Sequence, residues 1–95
     1  MATTITVRAV GPLAEITLDA YQTRKFLQEL ARVRRSPGFR TEVPADAAPD
    51  CVITAVTGQR QVEYRLFERA ILSQGRSKKG WHFYFGVLLL EWLFP

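Results

Sequence analysis

The segment Thr3–Arg35 decides the fold and reads TTITVRAVGPLAEITLDAYQTRKFLQELARVRR. Apolar and polar residues alternate on both sides of Gly11-Pro12, which is the pattern of two strands joined by a turn. Asp19 and Gln22 then form a capping-box pattern, so a helix is predicted from there to about Arg35. The segment is therefore predicted to be a β-hairpin followed by a helix.

The predicted helix has an apolar side and a basic side. At about 100° per residue, one arc collects the residues that we expect to rest on the hairpin, namely Ala20, Thr23, Phe26, Leu27, Leu30, Ala31 and Val33. The opposite arc is polar and carries Tyr21, Arg24, Lys25, Gln28, Arg32 and Arg35. Arg34 falls on the apolar side, which indicates that the regular helix ends before it.

The middle of the chain predicts a loop and more strands. The run FRTEVPADAAPD has no hydrophobic period, so a flexible loop is predicted over residues 36–50. Strands are predicted for Cys51–Thr57 and again after Gly58. The segment Gln61–Ser73 fits a strand in its first half, but it also fits one face of a helix.

The stretch Trp81–Pro95, WHFYFGVLLLEWLFP, holds six of the eleven aromatic residues. Such an apolar stretch must be buried in its own core, in a partner or in a bilayer. Its apolar part from Phe83 to Phe94 is about a dozen residues and is interrupted by Gly86 and Glu91, whereas a membrane-spanning helix needs roughly twenty. We therefore predict a core strand, or a strand that passes into a short helix.

Ninety-five residues with 47% apolar and 23% charged residues predict one globular domain, residues 1–95. The predicted class is α+β. The expected architecture is a ββαβββ-like antiparallel or mixed sheet, with one amphipathic helix packed on one face.

Basic residues dominate the charge, with a net charge of +4. Between Arg24 and Arg40 there are six basic residues and one acid, and a second basic cluster precedes Trp81. Arginine binds carboxylates and phosphates through two parallel hydrogen bonds, and exposed aromatic rings stack on bases. The predicted partner-binding residues are Tyr21, Arg24, Lys25, Gln28, Arg32, Arg35, Arg40, Arg76, Lys78, Lys79 and Trp81.

Catalytic chemistry has little support in the sequence. The single cysteine, Cys51, lies in the apolar run CVITAV and is expected to be buried and unreactive. The single histidine, His82, is expected to be a packed or hydrogen-bonded core residue, and Glu91 is expected to face solvent. We therefore predict no enzyme activity, no cofactor and no metal site.

These features predict a small non-enzymatic interaction protein of the inhibitor, immunity or accessory-subunit type. Its partner would be a larger protein or nucleoprotein assembly with an acidic or phosphate-bearing face. The alternative is direct nucleic-acid binding by the basic helix stripe and the turn Arg76–Lys79. A homodimer through the C-terminal strand stays open, no membrane partner is predicted, and the segment MATTITVR, which lacks a signal pattern, predicts a cytoplasmic location.

Overall fold

A computed structural model describes residues 2–35, 40–43 and 46–95. These ranges form a small α+β domain with an antiparallel sheet of seven strands and two helices. In chain order the elements are β1 Thr3–Ala9, β2 Glu15–Thr17, α1 Ala20–Arg34, β3 Arg40–Glu42, β4 Cys51–Thr57, β5 Arg60–Phe67, β6 Ile71–Gln74, β7 Lys79–His82 and α2 Phe85–Leu93. The predicted α+β class, with a helix packed on the sheet, is confirmed.

The predicted hairpin and helix cap are both present. Strands β1 and β2 pair antiparallel, with Val7 opposite Ile16. At the start of α1 the carboxylate of Asp19 accepts a hydrogen bond from the backbone N–H of Gln22, at 2.8 Å. The Gln22 side chain accepts from the backbone N–H of Asp19 in return, at 3.0 Å, which completes the capping box.

The sheet has the strand order β2-β1-β4-β5-β6-β7-β3, and both helices pack on the same face of it. Since paired residues of an antiparallel sheet share a face, alternate residues of β1, β4 and β5 supply the floor of the core. The helices supply its roof. The shared core cluster includes Ile5, Val7, Ile53, Tyr64 and Leu66 from the sheet, with Phe26, Leu30, Val33, Leu89 and Leu93 from the helices.

The two faces of α1 lie only in part as the periodicity predicts, because Ala20, Leu27 and Ala31 of the predicted apolar arc are exposed. Phe26, Leu30 and Val33 are buried, while the basic arc is exposed. The helix ends at Arg34, within the predicted end at Arg34 or Arg35, although the place of Arg34 on the apolar side indicated an earlier end of the regular turn. The Arg34 guanidinium donates hydrogen bonds to the hydroxyl of Tyr64 on β5, at 2.9 Å, and to the side chain of Gln74 at the end of β6, at 3.2 Å.

The second half of the chain has more elements than the sequence predicts. Strand β3 lies inside the predicted 36–50 loop, of which residues 36–39 and 44–45 are outside the described residues. The ambiguous segment 61–73 is β5, a turn and the start of β6. The final apolar stretch divides into β7 and α2, which is the second of the two predicted alternatives.

The final strand lies inside the sheet and not at its edge. Strand β7 is paired with β6 on one side and with β3 on the other, with Trp81 opposite Leu72 and Arg40. Strand β3, and not β7, is therefore the edge of the sheet on this side. The edge strands of the described sheet are β2 and β3, each only three residues long.

Helix α2 lies against the turn between β5 and β6. In that turn Glu68 and Arg69 have φ of 51° and 66°, an uncommon conformation for residues with a Cβ. The Asp50 carboxylate accepts a hydrogen bond from the Arg69 N–H at 2.8 Å. A Cβ placed on Gly86 would lie 2.5 Å from the Arg69 carbonyl oxygen and 2.6 Å from a methyl carbon of Leu66. The close approach of α2 to the sheet therefore requires glycine at this position.

A chain of aromatic contacts joins the sheet to both helices. Tyr64 on β5 meets Phe26 on α1, with ring centroids 6.0 Å apart, and Phe26 meets Phe83 at 5.6 Å. Phe83 meets Phe85 at 5.8 Å, and Phe85 meets Trp92 at 5.2 Å. All four contacts are edge-to-face, the geometry that aromatic quadrupoles favour.

We predict that Leu30→Ala lowers the free energy of unfolding by about 2–5 kcal/mol, because it removes a buried side chain from the core. Arg32→Ala on the outer face should change it by less than about 0.5 kcal/mol, since its ion pair with Glu29 is exposed. Urea melts of the two variants test this. Similar losses for both would contradict the assignment of the α1 faces.

We also predict that Gly86→Ala destabilises the protein by about 1–3 kcal/mol, because the added methyl group would clash with the Arg69 carbonyl and Leu66. Val87→Ala is the matched control on the same helix, at a half-exposed position, and should cost much less. Thermal unfolding of both variants measures the difference. A Gly86→Ala variant as stable as the wild type would mean that α2 does not sit this close to the turn.

Candidate docking surface

An open groove of about 470 Å³ runs between the two helices. Its walls are Tyr21, Lys25, Gln28 and Glu29 from α1 and Phe85, Leu88 and Trp92 from α2. In both helices the lining residues recur three or four positions apart in the sequence. Each helix therefore turns one face towards the groove. We refer to these seven residues as the interhelical groove.

Three of the predicted binding residues, Tyr21, Lys25 and Gln28, lie in this groove. The sequence does not predict the opposite wall, because it leaves open whether the segment that forms α2 is a strand or a helix. The signal was present in the sequence as the spacing of Phe85, Leu88 and Trp92 at positions i, i+3 and i+7. It was obscured because nearly every other residue of this segment is apolar too.

The interhelical groove is lined by one cation, Lys25, and one carboxylate, Glu29. Glu29 is held in an ion pair with Arg32, with 2.9 Å between the carboxylate oxygen and the guanidinium nitrogen. The Lys25 ammonium nitrogen lies 5.6 Å from the centroid of the Tyr21 ring, within range of a cation–π interaction. Tyr21 itself is 61% exposed, so this pair stands at the open rim of the groove.

A second feature joins the two basic clusters that the sequence predicts. Arg34 donates a hydrogen bond to Gln74, the last residue of β6, so the end of α1 lies beside the turn that carries Arg76 and Lys78. We call Arg32, Arg34, Arg35, Arg76 and Lys78 the basic end of the domain. The basic residues in the last turn of α1 also have a structural role, because cations stabilise the C-terminal end of a helix dipole.

The remaining predicted binding residues lie elsewhere. Arg24 lines a different depression, beside Thr4, Thr17 and Leu18. Arg40 and Lys79 lie on the neighbouring strands β3 and β7. Trp81 is half-buried and packs against the core.

The other side of α2 borders a groove of about 440 Å³ that also receives residues from the β1–β2 turn. Its apolar lining includes Val87, Leu90 and Phe94, and its charged residues are Asp50, Arg69 and Glu91. Glu91 is exposed, as the sequence predicts. The one carboxylate of α2 therefore faces away from the interhelical groove.

The candidate catalytic residues do not come together. The Cys51 side chain is fully buried, and burial, followed by the charge of Asp50, raises the pKa of its thiol from 9.0 to about 12. His82 is exposed rather than in the core, which corrects the expectation. Its Nε2 shares a hydrogen bond of 2.8 Å with the Thr41 hydroxyl, and its ring stacks on Tyr84. In residues 2–35, 40–43 and 46–95, no group of three His, Cys, Asp or Glu side chains is placed to hold a metal ion.

Two buried polar atoms among the described residues have no hydrogen-bond partner. They are Nε of Arg65 and Oγ of Ser73, which are cross-strand neighbours on β5 and β6. The Arg65 guanidinium packs over the Phe67 ring, 5.6 Å from its centroid, and donates to the Ser77 carbonyl. Ser73 has no exposed surface, so this pair of side chains is not a site that a ligand can reach.

No protein-family model and no curated protein sequence matches the chain. Its fold is similar to that of a solved structure described as "Putative Lipoprotein from Clostridium perfringens", with a TM-score of 0.73. The two sequences are 12% identical, and the match covers 98% of this chain and 84% of the other. A likeness at this identity shows a shared fold alone. Among the described residues, no helix has both the length and the apolarity that crossing a membrane requires.

We predict that Cys51 resists thiol-labelling reagents at about pH 8 in the folded protein and reacts fully in denaturant, because the thiolate is the reactive form. The unfolded chain ionises this thiol near its ordinary pKa of 9.0, whereas the folded protein does so near 12. The stability that depends on the protonated thiol is therefore complete below pH 9 and lost as the pH rises towards 12. Urea melts below pH 9 and at about pH 10.5 should show this loss for the wild type and a smaller one for Cys51→Ala. Rapid labelling of the folded protein would contradict the burial of Cys51.

Proposed function

We propose that this is a small non-enzymatic interaction protein that docks, in the cytoplasm, on a larger protein or nucleoprotein assembly through its basic surface. The observation that carries the proposal is the contact between Arg34 and Gln74, which brings the last turn of α1 next to the end of β6, the strand that leads into the second basic cluster. Carboxylates or phosphates on the partner would be the complementary groups, because guanidinium groups bind both through paired hydrogen bonds.

The balance of charge on this surface supports the proposal. Within the described residues the only ion pair joins Arg32 to Glu29, so Arg35, Arg76 and Lys78 have no carboxylate partner inside the domain. Exposed cations without partners raise the local positive potential, which speeds association with an anionic face. A non-enzymatic role fits two observations. Cys51 is buried in the core, whereas His82 lies elsewhere and is hydrogen-bonded to Thr41.

Direct nucleic-acid binding is the alternative use of the same surface. It has less support, because Trp81 packs against the core and leaves Tyr21 as the exposed ring of the two predicted stacking residues. Binding to phosphates would show a steep fall of affinity with salt, from the release of counterions.

The test is affinity purification of tagged protein from its native lysate, with and without nuclease, followed by mass spectrometry. We expect one defined assembly that survives nuclease. We expect the double charge reversal Arg76→Glu/Lys78→Glu to reduce its recovery at least about fivefold at physiological salt, since like charges would then oppose the partner's face. The matched control Arg8→Glu/Arg60→Glu has the same change of charge at exposed positions outside the basic end and should leave recovery unchanged.

Two results would contradict this proposal. Equal recovery with both double variants would show that the basic end is not the docking surface. Loss of all recovered proteins after nuclease treatment would favour the nucleic-acid alternative instead.

A further inference from the structure

We propose that Arg35 and Arg76 are the residues of the basic end that bind the partner protein, each through a guanidinium fork that holds two oxygens of a carboxylate or phosphate group. This inference rests on the proposed function, because it names the side chains of that surface that make the specific contact. Arg32 and Arg34 have structural roles instead. The reason is that their N–H groups are already used inside the domain.

A guanidinium group binds oxyanions through two alternative forks. Its five N–H donors lie in one plane, and one fork consists of Nε and Nη2 whereas the other consists of Nη1 and Nη2. Each fork therefore needs a hydrogen of Nη2 to hold two oxygens. An arginine whose Nη2 hydrogens are both engaged keeps its charge but offers no complete fork.

The Nη2 group of Arg34 is fully engaged. It donates to the hydroxyl of Tyr64 at 2.9 Å and to Oε1 of Gln74 at 3.2 Å. Tyr64 is buried, and its ring packs edge to face against Phe26, so the contact ties Arg34 to the core. Arg34 therefore holds the end of α1 beside the end of β6 and has no complete fork for a partner.

Arg32 has one fork occupied. Its Nε and Nη2 lie 3.0 Å and 2.9 Å from the same carboxylate oxygen of Glu29, one turn earlier in α1. An anion at the other fork would share this cation with the Glu29 carboxylate and would be repelled by it. Arg32 is therefore a weaker anion site than an arginine without an internal partner.

Arg35 and Arg76 have both forks free. Both residues are exposed, and within residues 2–35, 40–43 and 46–95 their side chains make no hydrogen bond or ion pair. Arg35 follows Arg34 directly, and Arg76 comes two residues after Gln74, so both adjoin the Arg34 contact along the chain. The ammonium group of Lys78 adds charge to the same turn, but it has no planar fork. Bidentate binding at the basic end is therefore assigned to Arg35 and Arg76.

The first test removes the forks and keeps the charge. Arg35→Lys/Arg76→Lys leaves the net charge unchanged, and Arg24→Lys/Arg32→Lys is the matched control at two other exposed positions. In the affinity purification from nuclease-treated lysate, we expect the first variant to reduce recovery of the assembly at least about fivefold. The control should change it less than about twofold, because a lysine replaces an arginine poorly only where the fork is used. Urea melts of both variants check that each remains folded.

The second test does not depend on recovery of a partner. Inorganic phosphate, or acetate as a carboxylate probe, is titrated into the purified full-length protein at constant ionic strength. The Nε–H signals of the arginines are followed by NMR and assigned with the lysine variants. We expect the signals of Arg35 and Arg76 to shift with at least one of the two anions, and those of Arg32 and Arg34 to stay in place. The anion that causes the larger shift identifies the group that the forks prefer.

Three results would overturn the inference. They are equal recovery with the two lysine variants, an assembly that disappears with nuclease, and anion-dependent shifts that are absent at Arg35 and Arg76 or larger at Arg32 and Arg34.

The two proposals fail separately. Loss of the assembly in Arg76→Glu/Lys78→Glu, with full recovery in Arg35→Lys/Arg76→Lys, would keep the basic surface and reject the forks. An assembly insensitive to that charge reversal, with signals that shift at Arg35 and Arg76, would reject the basic surface as the docking site and leave two anion-binding forks.

Discussion

The position of the second helix depends on the contact between Phe83 and the rest of the aromatic core. Phe83 lies between β7 and α2 and meets Phe26 on α1, so a single side chain sets where the second helix begins relative to the first. The contact continues through Phe85 to Trp92, while Gly86 lets the same helix approach the β5–β6 turn. Aromatic pairs prefer edge-to-face or offset-stacked arrangements, so these contacts favour one relative placement of the rings. The spacing between the helices is thus a property of the core.

Because the core fixes that spacing, α1 can present two surfaces with different chemistry. Its first half faces α2 across the interhelical groove, with Tyr21 and Lys25 at the rim. Its last turn belongs to the basic end, where Arg34 is held by Tyr64 and Gln74. One rigid helix therefore connects an aromatic cleft with a cationic patch. A partner that used both would need its apolar and acidic groups at a fixed separation, which favours specificity.

Much of the first half of the fold follows from local sequence. The capping box at Asp19 and the spacing of Phe26, Leu30 and Val33 each have one physical explanation, so the helix and its faces are predictable. Strand β3 and helix α2 are harder to predict, for different reasons. Three residues of β3 carry no measurable period, and α2 is apolar on nearly all sides, so its periodicity is weak. The turn at Glu68 and Arg69 gives no signal either, because its positive φ values occur without glycine or asparagine.

The candidate docking surface can be predicted from the sequence only in part, for the same reasons. Its α1 wall follows from the polar arc of a recognisable helix, whereas its α2 wall depends on a helix that local patterns do not distinguish from a buried strand. The basic end depends on a tertiary contact, Arg34 to Gln74, between residues that are 40 positions apart in the chain. Only the folded sheet brings such residues together, since no local rule gives the strand order β2-β1-β4-β5-β6-β7-β3.

That strand order has a consequence for how the chain reaches its folded state. Strand β1 pairs with β4, and β3 pairs with β7. Two of the six strand pairings therefore require the closure of a loop of about 40 residues before their hydrogen bonds form. Topologies rich in such distant pairings fold slowly. Until Phe83 and α2 dock, the ring of Phe26 and the apolar face of the central strands remain open to water. A chain in which residues 79–93 had not yet docked would expose apolar surface that favours self-association.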